Sequence, residues 1–187
     1  MYIIILIMAS ENSETLPENG WIQDSKELNL SAPSYEHQEL SGLICSQFLR
    51  YLSGKSCKVI QDVDVSLFEP YEEYLHKKKT IRNYQGRFKR PDILVLCDIS
   101  KRKDGKIFGA PDLIIEISSP STASEDFIEK RELYQKAGVR EYWIVMDSEV
   151  VYKYILTDGV YQEKKPVEGE PVPVDIFPDL HITLKEE

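Results

Sequence analysis

The order of hydrophobic patterns along the chain predicts an α/β sandwich, a mixed central β-sheet flanked by helices. Three observations carry this. A long amphipathic repeat follows Ser34, two short and almost continuous apolar runs lie at 93–97 and 113–117, and a capped helical segment separates the second run from another apolar strand at 142–146. The pattern gives a single domain over 34–187, preceded by an irregular or edge-strand lead-in over 1–33.

The lead-in is polar and rich in turn formers, with Pro17, Asn19, Gly20 and Pro33, and only Trp21, Ile22, Leu28 and Leu30 to bury. From Ser34 onward Leu40, Leu43, Ile44, Phe48, Tyr51 and Leu52 recur at steps of three and four, which predicts a helix ending near Gly54. Val59 to Phe68 alternates Val63, Val65 and Leu67 with Asp62, Asp64 and Ser66, the pattern of a half-buried strand. A basic loop follows. Ile93 to Cys97 and Leu113 to Ile117 read as central strands, joined by an exposed hairpin-type loop over 101–106 with Gly105. Ser119 to Ser124 offers N-caps, Glu125 and Asp126 suit the positive end of a helix dipole, and Gly138 supplies a stop, so a helix is expected from about Ser124 to Ala137. Tyr142 to Met146 is a further strand. Asp158 and Gly159 mark a hairpin turn between 150–156 and 160–162. A last strand is expected at 180–184, after the Pro-rich segment 166–178.

With 187 residues, eleven Tyr, six Phe and two Trp, the chain can bury one core and is no disordered polymer. Its net charge of -9 excludes coating nucleic acid by charge alone, because such binding depends on Lys and Arg neutralising phosphates. Contact with nucleic acid has to be local. Lys77, Lys78, Lys79, Arg82, Arg87, Lys89 and Arg90 supply seven positive charges just ahead of Asp92, in what otherwise reads as a solvated loop. Cys45, Cys57 and Cys97 have no spacing that suggests zinc or a disulfide framework, which points to a reducing, cytoplasmic compartment. The apolar run Tyr2 to Ala9 lacks a basic flank and falls short of the about 20 residues a bilayer requires, so no membrane role is expected, and Met8 is an alternative start.

The residues with chemistry come from strands and the helix after them. Asp112, Ile114, Glu116 and Ser118 share one face of a strand, and Asp92 begins the strand before it, so Asp92 and Glu116 meet if the two strands pair. Neighbouring carboxylates repel unless a cation neutralises them. A sparse Asp and Glu pair without histidine suits Mg²⁺, or Mn²⁺, better than zinc, because Mg²⁺ takes one or two carboxylates and keeps waters or phosphate oxygens. Phe127, Lys130, Tyr134 and Ala137 form a stripe that places a lysine on the apolar face of the helix, either snorkelling over Tyr134 or paired with the acids. Asp92 and Asp112 each follow a proline and also fit turn roles. Glu116, inside the apolar run LIIEIS, is harder to explain as structure. Tyr142 and Trp143 read as core.

Several segments resemble the Uma-type family of putative restriction endonucleases, members of the PD-(D/E)xK nuclease superfamily. They are KRPDILVLCD at 89–98, GAPDLIIEISSPST at 109–122, DFIEKRELYQKAGVREYWIVMD at 126–147, FPDLHITL at 177–184, and SYEHQ opening the first helix. The likeness runs from about Ala32 onward. It implies a restriction endonuclease-like sandwich in which Asp92 and Glu116 hold the metal and Lys130 completes the catalytic set. Asp112, by the strand face it shares with Glu116, is a further candidate ligand. His37 and Glu39 on the first helix read as surface residues, with a polar contact to the site as the alternative. Two positions depart from the pattern: Ser118 stands where the superfamily carries lysine, so Lys130 must reach the same space from the helix, and Leu16 occupies an acidic position of the lead-in.

The expected activity is Mg²⁺-dependent hydrolysis of DNA phosphodiesters by metal-activated water, with a homodimer suited to addressing two strands. The alternative is a non-catalytic nuclease-like module that binds a protein or nucleic-acid partner through its outer strands and basic loop. The same chemistry directed at RNA or a small nucleotide is a third reading.

Overall fold

The structure, a computed structural model, describes residues 33–146 and 150–185. But for Pro33, the expected lead-in lies outside the described residues, with the apolar run at 2–9 and Leu16. Helix α1 (Tyr35–Leu52) starts at Ser34, whose Oγ accepts the His37 N–H, and Gly54 turns the chain away at a φ of +74°. Its apolar face buries Ile44, Phe48 and Leu52. Truncating a fully buried Phe48 to Ala would cost about 3–5 kcal/mol.

The central sheet has six strands: β1 (Lys58–Gln61), β3 (Ile93–Leu96), β6 (Leu113–Ile117), β7 (Glu141–Val145), β8 (Val151–Thr157) and β9 (Val160–Lys164), adjacent in that order. Only β6 and β7 run parallel, and the crossover between them carries helix α3, wound as a π-helix over Glu125–Lys130 and as an α-helix over Arg131–Ala137; the other pairs are antiparallel. The β8–β9 hairpin turns at Asp158 and Gly159, both at positive φ, as their dipeptide predicts. Ile93, Val95, Leu113, Ile115 and Trp143 face α1 and the terminal hairpin on one side. Leu94, Leu96, Ile114, Tyr142 and Ile144 face Tyr134 of α3 on the other. Burial on both faces explains why these strands read as continuous apolar runs.

The expected strand over 59–68 is two strands. Asp62 takes a left-handed φ of 49° and donates its N–H to the Asp92 carbonyl, ending β1. β2 (Val65–Ser66) then joins a small second sheet with β5 (Lys106–Phe108) and β4 (Arg102–Lys103), the last two being the expected exposed hairpin. The basic segment is likewise partly helical. Lys77, Lys78 and Lys79 close helix α2 (Tyr71–Thr80), which buries Tyr74 and half-buries little else, and so shows little apolar periodicity. The Pro-rich segment contains β10 (Val172–Val174), paired with β11 (Phe177–Ile182), because Pro173 sits exposed on this two-stranded ribbon. Buried Lys153 of β8 locks that ribbon to the sheet through Glu141, 3.2 Å away, and Asp175, 2.5 Å away.

The cysteines do not stay apart. The β1–β3 register pairs Lys58 with Leu96, so Cys57 and Cys97 fall opposite each other one step further on, and they form a disulfide. Strand pairing, invisible in their 40-residue separation, brings them together. The cysteine argument for a reducing compartment therefore falls. Among the described residues no helix is long and apolar enough to cross a membrane.

Candidate active site

The site begins with register. β3 and β6 pair Ile93 with Ile115 and Leu94 with Ile114, so the next step places Asp92 across from Glu116. Side chains alternate, and both carboxylates belong to the α3 side of the sheet. Glu116 is buried at 3% exposure inside an otherwise apolar strand.

Helix α3 supplies the counter-charge. It opens with a π-wound stretch, Glu125–Lys130, and continues as α-helix over Arg131–Ala137, with Gly138 left-handed at its end. Such wide turns occur often at functional sites. Here the winding leaves both Asp126 and Lys130 facing the sheet. The Lys130 Nζ lies 3.1 Å from Glu116 Oε2 and 2.8 Å from Asp126 Oδ1. The amine is therefore an ion-pair partner of two buried acids rather than a snorkelling group. Tyr134, one turn on, donates its hydroxyl to Glu116 Oε1 at 2.7 Å.

Asp92 is fixed from two other sides. The Ile117 N–H donates to its Oδ2 at 2.7 Å, and His37 Nε2 of α1 lies 3.3 Å from its Oδ1. His37 thus reaches the cluster from the first turn of α1. It also borders a cleft of about 740 Å³ between α1 and the segment 117–120. Glu39 lines the same cleft but is exposed and accepts the Tyr35 hydroxyl. Asp112 does not join the cluster. Its Oδ2 accepts the Cys97 N–H at 2.8 Å and its Oδ1 pairs with Arg140 at 3.2 Å, at the opposite end of β6.

Burial dominates the electrostatics. It pushes the Glu116 carboxyl up to about 7; Lys130 pulls the other way, and the Asp92 charge adds to the rise. Burial also raises the Asp92 carboxyl, against the Ile117 N–H and the His37 and Lys130 charges. For Lys130 burial opposes the charge, but Glu116 and Asp126 outweigh it and keep the amine protonated well above its usual range.

Asp92 and Glu116 fit a hard divalent ion of the Mg²⁺ type. They are two oxygen donors whose mutual repulsion and burial leave negative charge incompletely compensated. Among the described residues no group of three or more His, Cys, Asp and Glu side chains could hold a metal. The rest of an ion's shell would have to come from water and substrate, the habit of Mg²⁺ and not of structural zinc.

Asp126 and Tyr134 were not singled out as site residues by the sequence. Their signal is spacing: each is four residues from Lys130, the reach of one helical turn, with an acid on one side and a hydroxyl on the other.

A model of the Uma2 family, described as "Putative restriction endonuclease", matches residues 24–185. The chain belongs to this family. No curated protein sequence matches it. Among solved structures it is similar to a "putative nuclease belonging to DUF820" from Anabaena variabilis ATCC 29413, at 18% identity and a TM-score of 0.57, over 82% of this chain and 80% of that one. At that identity the likeness speaks for the fold, and it places this Uma2 member among restriction endonuclease-like α/β proteins.

Proposed function

We propose that the chain is a metal-dependent endonuclease hydrolysing phosphodiester bonds of DNA, with Asp92 and Glu116 holding Mg²⁺ or Mn²⁺ and Lys130 acting beside them. The observation that carries this is the meeting of the buried Glu116 and the half-buried Asp92, from adjacent strands, with the Lys130 amine, 3.1 Å from Glu116. Family membership supports the same reading. Bound there, the ion would act as a Lewis acid on the phosphate and lower the pKa of water.

The chain's own residues divide the remaining work. Lys130, held protonated between two acids, can donate hydrogen bonds but cannot accept a proton. Its role is to orient the attacking water and stabilise charge developing on the phosphate. Asp126 positions that amine, so Lys130 need not collapse onto Glu116 alone. Tyr134 occupies Glu116 Oε1, and the Ile117 N–H and His37 fix the Asp92 carboxylate. His37, which contacts Asp92, also borders the cleft beside α1, and a DNA strand would lie along that cleft. A homodimer would present two such sites to the two strands.

Nicking of supercoiled plasmid with Mg²⁺ or Mn²⁺ tests the reading. Wild type is expected to nick, and chelator or Asp92→Ala to abolish it. Metal-independent nicking, or activity unchanged in Asp92→Ala, would overturn it and leave a non-catalytic binding module.

A further inference from the structure

The basic tract ahead of Asp92 is a charged feature that the candidate site leaves unused. No acid occurs between Glu73 and Asp92, in a chain whose net charge is -9. A surface serving solubility alone would intersperse both signs. The cations of this tract divide into two groups. Three are neutralised: Lys77 lies 2.9 Å from Glu69 and 2.5 Å from Glu73, Lys89 lies 3.2 Å from Glu125, and Arg90 lies 2.7 Å from Asp64. The other four, Lys78, Lys79, Arg82 and Arg87, are exposed and, among the described residues, pair with no carboxylate. The neighbouring acids do not cancel them. Glu69 and Glu73 are both taken up by Lys77, and Arg87 is felt by Glu69 without touching it. Glu72 sits in the first turn of α2, at the far end from Lys79 of a helix about 15 Å long.

The four are carried on a fixed frame. Lys78 lies over the Tyr74 ring, 5.5 Å from its centre. Where α2 ends, the Ile81 N–H donates to the Lys77 carbonyl, and the Tyr84 N–H returns to the Ile81 carbonyl with Asn83 left-handed at a φ of 60°. The Tyr84 hydroxyl donates to Glu69 Oε1 at 2.5 Å, and Phe88 packs edge-on against Tyr74 and Phe108. Arg82 and Arg87 therefore leave a constrained backbone, which lowers the ordering cost of a contact made through them. The helix dipole accounts for Lys78 and Lys79 in the last turn of α2, but not for Arg82 and Arg87 beyond it.

Free cations spaced along a fixed backbone suit a repeating anion. The tract runs into the candidate site: Lys89 lies three residues before Asp92, at most about 11 Å of extended chain, and pairs with Glu125 where the helix of Lys130 begins. The exposed residues of α2 are all polar, so it lacks the apolar face of a helix that lies in a bilayer. We propose that Lys78, Lys79, Arg82 and Arg87 form a sequence-independent contact surface for the phosphodiester backbone of the DNA that the candidate site addresses. The proposal deepens the nuclease reading and rests on it for the substrate class.

Fluorescence anisotropy with a labelled DNA duplex over a salt series, in chelator so that nothing is cleaved, reads the number of phosphates neutralised. Replacing any one of the four by Gln should make the slope of log K against log salt shallower by about 0.9, and replacing all four by about 3–4. The losses should be alike on two duplexes of unrelated sequence, because backbone contacts carry no base information. Lys136→Gln, an exposed and paired lysine of α3 outside the tract, controls for net charge and should leave the slope unchanged. A slope unmoved in the fourfold variant, or moved as much by Lys136→Gln as by a single tract substitution, overturns the proposal. Vesicles of phosphatidylserine and phosphatidylcholine form a second arm: if they, and not the duplex, lose binding in the fourfold variant, the surface belongs to a membrane and the proposal falls. Should the fourfold variant fail to fold, the single exposed substitutions decide by themselves. The two readings fail separately. Tract-dependent binding without metal-dependent nicking would remove only the hydrolytic assignment, and nicking with a salt slope indifferent to the four residues would remove only this surface.

Discussion

Asp92 faces Glu116 across the antiparallel β3–β6 pair, one step beyond the Ile93 and Ile115 pair, with Glu116 buried and Asp92 half-buried. This cross-strand meeting of acids stores repulsion in the metal-free protein, and the measurable consequences follow from its sign.

Glu116→Gln removes one of the opposed charges while keeping the side chain's shape. At pH 8 it should stabilise the metal-free protein by about 2 kcal/mol, because a buried carboxyl raised to about 7 is ionised there at a cost. Nicking should fall by at least about 100-fold. Urea melts and plasmid assays on the same preparations give both numbers; a large loss of stability would refute the stored-repulsion account.

The pH dependence has a definite direction. The folded-state pKa of Glu116 lies above the unfolded value, so its contribution to stability is fully present below about 4.5 and is lost as pH rises through about 7. Metal needs the ionised carboxylates. The rise in thermal midpoint on adding Mg²⁺ should therefore be larger at pH 8 than at pH 6. Scanning calorimetry at both values checks it, and a larger shift at pH 6 would contradict the assignment of the ligands.

Lys130→Met should be the most damaging substitution in the cluster. It leaves Glu116 and Asp126 buried without their cation, a cost of about 3–5 kcal/mol near neutral pH that shrinks in acid as the carboxyls protonate. A denaturant series at pH 5 and pH 8 separates this from simple loss of packing, which would not depend on pH.

Asp112→Asn tests the division of labour along β6. Asp112 serves the Cys97 N–H and Arg140, so the substitution should lower stability by about 1 kcal/mol while leaving Mg²⁺-dependent nicking within twofold of wild type. Loss of metal dependence in this variant would return Asp112 to the ligand set.

The disulfide predicts a thiol count. Denatured but unreduced protein should expose one reactive thiol, Cys45, and three after reduction. Reduction should lower stability by roughly 4 kcal/mol for a loop of this length. Three thiols in the unreduced protein would show the bond to be absent.

The parts legible in the sequence were those set by local periodicity and turn chemistry. Helix α1, the two central strands, the Asp158–Gly159 hairpin and the stop at Gly138 follow from residues adjacent in the chain. Asp92 and Glu116 could be placed together because strand alternation fixes a face and the order of strands suggests a neighbour. What escaped was set by contacts distant in sequence. Cys57 and Cys97 meet only through the β1–β3 register, and Asp62 breaks a plausible strand because its backbone serves the Asp92 carbonyl. Helix α2 buries one tyrosine and so leaves no stripe to read. Asp112 shares a face with Glu116, but facing the same way is not proximity when three residues of extended chain lie between them.

The two strands and the wide-turned helix that furnish the acids and the amine are consecutive in the main sheet's wiring, all within residues 92–137. Whatever this protein does with them, the capacity is encoded in one short, contiguous tract. Apart from His37, which reaches Asp92 from the first helix, that helix, the outer strands and the terminal ribbon are therefore at liberty to diverge toward new targets or assemblies while the tract's internal spacing stays as it is.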